Sequence, residues 1–241
     1  DPADAKDRDD ACFAEEDKDP KNKGGYLIWV AIADVASCVK EGGAVDREAF
    51  ERGNSCYLID RVLPMLPEVI SNEICSLKPG SDRQCLIVRM KLGATGIILN
   101  SDFVRGIIMS RAALSYDEVE NAYKGNSGKL SRTLMSDVIK PLFAAYQCLT
   151  KGFGVREPLR VDVQDKKIVM GEGGVVEGVS AIERLESHRL IEEFMVQANI
   201  AASNALAKGM VQFPYRCHPK PNLKSKVELE DRFVAMGLSF P

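Results

Sequence analysis

From Tyr26 to Ala33 the chain reads YLIWVAIA, eight apolar positions without a polar break. A run this short, rich in β-branched and aromatic residues, predicts a buried strand. Gly24 and Gly25 stand before it and suit a hairpin turn from a preceding strand over 11–15. Residues 46–53 predict a short helix closed by Gly53, since glycine tolerates the left-handed cap. CYLI at 56–59 predicts another strand, after which Pro64 and Pro67 force an irregular, extended path. Residues 85–92 and 96–109 predict two strands joined by a turn over 93–96, the second long enough to bend or bulge near Gly106.

Beyond Ser115 the pattern turns helical. Ser115-Tyr-Asp-Glu118 fits a capping box, in which the serine hydroxyl and the glutamate satisfy each other's backbone N–H. Residues 130–152 predict a longer helix, and 166–170 with 175–179 a hairpin across 171–174. The clearest helix covers 186–208. Its Ile191, Phe194, Met195, Ala198, Ala202 and Ala205 share one face, with Glu192 on the flank of that face and Glu193 nearly opposite. A last short helix is expected over 224–236. There is no internal repeat and no low-complexity tract. Strands come mainly first and helices mainly after, which is an α+β order.

Composition narrows the class. The 241 residues are 45% hydrophobic and 28% charged, as expected for a globular protein with a sizeable core. The longest apolar runs are too short to span a bilayer, and the polar, acidic first residues show no signal peptide. Seven cysteines without a CxxC pair read as reduced, small core residues, so a cytoplasmic location is expected. Two histidines, His188 and His218, are too few and too far from paired cysteines for a zinc site. The net charge of −3 lacks the basic excess of many nucleic-acid binders, although an acidic metal site lowers the total.

That acidity is concentrated at one end. DPADAKDRDDACF places aspartates at 1, 4, 7, 9 and 10. Like charges so close need solvent or cations, and a solvated tail is the simplest account of such a run. Here it leads straight into the apolar Ala11-Cys12-Phe13. An EF-hand register fails: a loop starting at Asp7 puts Cys12 and Lys18 where glycine and glutamate belong, and one starting at Asp4 puts Lys6 and Asp9 at its third and sixth places. Hard divalent ions such as Mg2+ prefer a few carboxylates plus water and phosphate, so the spacing suggests a carboxylate site for Mg2+.

DPADAKDRDDA resembles the catalytic signature of the ribonuclease II/R superfamily, the RNB domain. GGYLIWVAIADVASCVKEGGAVDREAFERGNSCYL, VLPMLPEVISNEICSLKPGSDRQCLIV and HRLIEEFMVQANIAA resemble further family blocks in the same order. The resemblance implies an RNB-type fold, a mixed or antiparallel sheet packed with helices on one side. It implies a processive, hydrolytic 3′→5′ exoribonuclease that takes the 3′ end of single-stranded RNA and releases nucleoside 5′-monophosphates. It also implies two-metal hydrolysis with Mg2+, or Mn2+ as the alternative, the ions held by Asp1, Asp7, Asp9 and Asp10 as catalytic and metal residues, with Asp4 in a supporting place. Tyr57 matches an aromatic that stacks on the terminal base, and one of Glu192 and Glu193 would lie near the terminal ribose hydroxyls. For partners it implies no membrane, a monomer, and association with RNA-decay or ribosome quality-control machinery. Arg52, Arg83 and Arg111 are candidate phosphate contacts.

Two departures qualify the match. A later family block resembling SPIRRYPDL, whose arginine contacts the reacting phosphate, is not found, nor are the family's OB-type domains. Residues 1–241 are therefore expected to be the N-terminal and central part of an RNB catalytic domain. The second clamp aromatic is replaced by Ile168 within QDKKIVM. The alternative reading is a catalytically inactive RNB-like module that binds RNA or a partner.

Overall fold

The computed structural model describes residues 1–3, 5–126, 128, 130–152, 166–181, 183–215, 217 and 219–239. Two compact units divide the chain, Asp1–Ser203 and Asn204–Pro241.

The first unit is built on a four-stranded antiparallel sheet in the order β1 (Asp10–Glu16), β2 (Tyr26–Ala33), β5 (Asp82–Leu92), β6 (Ile98–Met109). β2 lies inside the sheet and packs on both faces, which is why its sequence is apolar throughout rather than alternating. The hairpin with β1 forms in the register Phe13↔Trp29, but its connection is longer than a two-residue turn. Pro20–Asn22 makes a 3-10 turn there. The Asn22 side chain donates to the Leu92 carbonyl at 3.0 Å and to Asp17 at 2.8 Å, and Lys91 bridges Asp17 and Asp19.

One face of the sheet carries Ile28, Val30, Val88, Met90 and Leu92 into the main core. Three helices share that core: α2 (Tyr116–Tyr123), α3 (Lys140–Thr150) and α4 (Glu186–Lys208), through Ala122, Phe143, Leu149, Leu190 and Phe194. The α+β expectation with helices on one side thus holds. The opposite face carries Ala31, Ala33 and Cys85 against Ile70 of a wide helical turn, Val69–Ile74, and Cys75 and Leu77 just beyond it.

Local signals decide several boundaries. Ser115 and Glu118 form both bonds of the capping box. Helix α1 (Ala44–Arg52) ends at Gly53, whose φ is +73°. Gly96 turns β5 into β6 with φ +85°, and a Cβ there would stand 2.4 Å from the Gly152 nitrogen, so the turn seats against the end of α3 only without a side chain. The predicted helix 130–152 is found as Arg132–Leu134, a π-helical turn Met135–Ile139 and then α3. The expected strand 56–59 contracts to β3 (Cys56–Tyr57), paired with β4 (Val62–Leu63) in an exposed hairpin.

Two expectations need correction. The irregularity of the long hairpin lies at Lys91/Leu92, where Leu99 is the extra residue, and Gly106 pairs regularly with Cys85. The cysteines are not uniformly core residues: Cys75, Cys85 and Cys148 are buried, Cys12 is half-buried, and Cys38, Cys56 and Cys217 are exposed. A further hairpin joins β7 (Lys166–Met170) to β8 (Val176–Ala181), and Ile168 faces Val179 across it. The second unit holds the last turn of α4 and α5 (Leu223–Ala235), whose Asn222 cap accepts from the Ser225 N–H at 2.8 Å. Among the described residues no helix is long and apolar enough to cross a membrane.

Candidate metal centre and its surroundings

The acidic run is an ordered approach to β1. Asp10 is the first residue of that strand and pairs with Ile32. The Asp9 carbonyl accepts from the Ala33 N–H at 2.9 Å, which fixes the last step before the strand. Upstream, Ser76 acts as a clasp. Its hydroxyl accepts from the Arg8 N–H at 3.1 Å and donates to the Lys6 carbonyl at 2.8 Å, and the Leu77 N–H donates to the Arg8 carbonyl at 2.8 Å. Ser76 is fully buried, and its own carbonyl is held by Arg83 Nε at 2.9 Å. Arg83, read from the sequence as a phosphate contact, thus supports the clasp.

Side chains follow from this backbone. Asp1 accepts from Arg8 Nη1 at 3.2 Å, an ion pair with both partners largely covered. Asp9 is exposed at the surface, and Asp1, Asp7 and Asp10 are half-buried. Desolvation raises the Asp9 carboxyl above its ordinary range, and the charges of Asp7 and Asp10 push it in the same direction. Burial also raises Asp10. Carboxylates held close with their protons bound more tightly than usual are a donor set that a hard divalent cation would neutralise. The donor chemistry therefore fits Mg2+ or Mn2+. Among the described residues, however, no three His, Cys, Asp or Glu side chains are gathered into a group that could hold a metal ion, and Asp1 is turned to Arg8. Asp4 lies outside the described residues.

A cavity of about 670 Å³ opens beside this run. Asp1, Asp10, Arg111, Tyr116, Ser187 and Ile191 are among its walls. Tyr116 stacks on His188 with ring centroids 4.0 Å apart. Burial raises the Tyr116 phenol, and the Asp10 charge adds to the shift. Burial lowers the His188 imidazole below its ordinary value. Tyr116 was not singled out in the sequence, where it serves as the first residue after a helix cap. Arg111 does reach the cavity, whereas Arg52 is turned to Glu48 and the Pro64 carbonyl.

The remaining predicted site residues sit apart from the acidic run in different ways. Tyr57 is 72% exposed, on the outward β3–β4 hairpin with Leu58, Ile59, Val62 and Leu63. The two glutamates of α4 exchange the places their helical phase suggested. Glu192 is exposed and ion-paired to Arg184, while Glu193 is half-buried with its charge beside Tyr146. The helix buries a face centred on Leu190, Phe194, Ala198 and Ala201, and Glu193 lies on the flank of that face.

The RNB domain model matches residues 1–236. The ribonucleases R of Vibrio parahaemolyticus and Escherichia coli are 35% and 33% identical, over 98% and 99% of this chain. The chain spans less than a third of their length, 28% and 29%. Among solved structures, Mycoplasma genitalium RNase R in complex with ribose-methylated single-stranded RNA superposes with a TM-score of 0.92 at 27% identity, over 100% of this chain and 37% of that one. The same enzyme in complex with double-stranded RNA gives the same score over 42% of its chain. Yeast Ssd1, described as a pseudonuclease, shares the fold alone, with a TM-score of 0.70 at 17% identity over 97% of this chain and 28% of its own. Matched by the family model over residues 1–236, the chain belongs to the RNB domain family.

Proposed function

We propose that this chain carries the catalytic carboxylates of a processive, hydrolytic 3′→5′ exoribonuclease acting on single-stranded RNA. One observation carries the reading: the backbone of Lys6, Arg8 and Asp9 is clasped by Ser76, Leu77 and Ala33, which fixes the run that bears Asp7, Asp9 and Asp10, and desolvation followed by the charges of Asp7 and Asp10 raises the Asp9 carboxyl. A solvated acidic tail would have no such anchors.

Asp1, Asp7, Asp9 and Asp10 would hold Mg2+, or Mn2+ in its place. When bound, divalent cations supply activation of the attacking water and neutralise charge on the phosphate and the departing 3′ oxygen. The chain's residues do the rest. Arg8 sits against Asp1 and shields its charge until a cation takes that place. The clasp fixes the spacing of the carboxylates, and Arg111 brings a positive charge to the same cavity, where a phosphate chain would lie. Tyr57 presents an exposed ring on which a base of any identity can stack, a contact worth roughly 1–3 kcal/mol. Between the two glutamates, Glu193 on the covered side of α4 is the better placed to meet a ribose hydroxyl. The partners of the reading are the 3′ end of RNA and, in the cell, RNA-decay or ribosome quality-control machinery.

A second reading, RNA binding without cleavage, is favoured by the absence of a closed three-donor group among the described residues. Fold does not decide between them, since a pseudonuclease shares it. The test uses 3′-labelled single-stranded RNA with the full chain, in Mg2+ and in EDTA. Labelled nucleoside 5′-monophosphate in Mg2+ alone, lost in Asp9→Asn, supports the exoribonuclease. RNA retention with no mononucleotide supports the binding module.

A further inference from the structure

A second cavity, of about 530 Å³, lies on the face of the sheet away from the helical layer. Asp34, Ser37, Cys38, Cys75 and Arg83 are among its walls. Cys38 follows the 3-10 turn Val35–Ser37 at the end of β2, with its sulfur 3.4 Å from the Ser37 hydroxyl. Cys75 closes the turn Val69–Ile74, its N–H donating to the Ile70 carbonyl at 2.9 Å. Both side chains line this cavity and interact there, although 37 positions separate them (75 − 38). Cys38 is exposed and Cys75 is buried.

Each cysteine stands on a segment that holds the acidic run. Cys75 immediately precedes Ser76 and Leu77, which bind the backbone of Lys6 and Arg8. Cys38 lies five residues beyond Ala33, which binds the Asp9 carbonyl. We propose that Cys38 and Cys75 form a reversible disulfide under peroxide, a modification site that locks together the two segments clasping residues 6–9.

The chemistry balances with hydrogen peroxide as the oxidant. The exposed Cys38 thiolate attacks peroxide, gaining one oxygen as sulfenic acid and releasing water overall. The Cys75 sulfur then attacks the Cys38 sulfur, the S–O bond breaks, and a second water leaves. Two thiols lose two electrons and two protons, and one peroxide is reduced to two waters. Cys75 is buried, which shields it from peroxide in solution and leaves it as the resolving partner of the exposed Cys38. Such a bond inside a reducing compartment would be transient, as sensing disulfides are.

The experiment treats the full chain with dilute hydrogen peroxide and counts free thiols. Seven are present before treatment and five are expected after it, with a Cys38–Cys75 peptide two hydrogens lighter and all seven thiols restored by dithiothreitol. Cys38→Ser, on the surface, keeps its six thiols, as does the buried-site check Cys75→Ala. Amide exchange at Arg8 and Leu77 slows severalfold in the oxidised wild type, and not in treated Cys38→Ser. An absent Cys38–Cys75 peptide, or a link through Cys56 or Cys217 instead, overturns the site. A linked peptide with unchanged exchange at Arg8 overturns its coupling to the clasp. Neither readout depends on nuclease activity, so the outcome is separate from that of the proposed function.

Discussion

Replacing Ser76 with alanine removes one hydroxyl and two hydrogen bonds, to the Arg8 N–H at 3.1 Å and the Lys6 carbonyl at 2.8 Å. The site is fully buried, so no water stands ready to replace the hydroxyl. Each bond is worth about 1 kcal/mol net, and the pair about 2 kcal/mol. If the loss falls on local opening of the acidic run, the open state gains by a factor of about 30, at about 1.4 kcal/mol per tenfold. Native-state hydrogen exchange reads this directly. In Ser76→Ala the Arg8 amide exchanges about 30-fold faster, while Val30 and Val88 in the sheet keep their wild-type protection. Ser76→Thr retains a hydroxyl and should restore most of the protection. An Arg8 amide as well protected in Ser76→Ala as in the wild type would mean that the run is held by something else, and the clasp would be rejected.

Two further outcomes follow from the same geometry. Asp9 and Asp10 have carboxyls raised above 3.8 in the fold, so protonation favours the folded state, and that stability is lost as pH rises through the folded values. Metal-free Asp9→Asn and Asp10→Asn should therefore melt higher than wild type at neutral pH. The gap closes as pH falls toward about 4, and also on adding Mg2+ to the wild type; equal melting temperatures at all pH values would exclude the repulsion. Tyr57→Ala should weaken single-stranded RNA binding by roughly 1–3 kcal/mol with no change in melting temperature, and Tyr57→Phe should bind normally, as read by fluorescence anisotropy. The unchanged stability follows from its 72% exposure.

The parts legible in the sequence are those specified locally. The central strand Tyr26–Ala33, the helix Glu186–Lys208 and the capping box at Ser115 and Glu118 all lie where periodicity and cap chemistry put them. The spacing of the acidic run suggested a carboxylate site for a cation, and its likeness to a nuclease signature came only through resemblance. What it could not reveal is the clasp, because Ser76 and Lys6 are 70 residues apart and a lone serine carries no pattern. The helical placement of Glu192 and Glu193 differs from the expectation for a related reason. The face the helix buries is centred on Leu190, Phe194, Ala198 and Ala201 rather than on the stripe read from the sequence, which puts Glu193 on its flank and leaves Glu192 exposed beside Arg184. Cys38 read as core with the other cysteines, yet it follows a 3-10 turn beyond the end of β2 and is exposed. Tertiary placement, not local propensity, set each of these.

The account rests on four carboxylates that together hold divalent cations. Titration of the full chain with Mn2+, followed by electron paramagnetic resonance of the free ion, tests this without requiring turnover. Saturable binding in the wild type, weakened at least about tenfold in Asp9→Asn and in Asp10→Asn and competed by Mg2+, is the predicted result. Binding of equal strength in both variants would contradict the assignment of the metal to this acidic run.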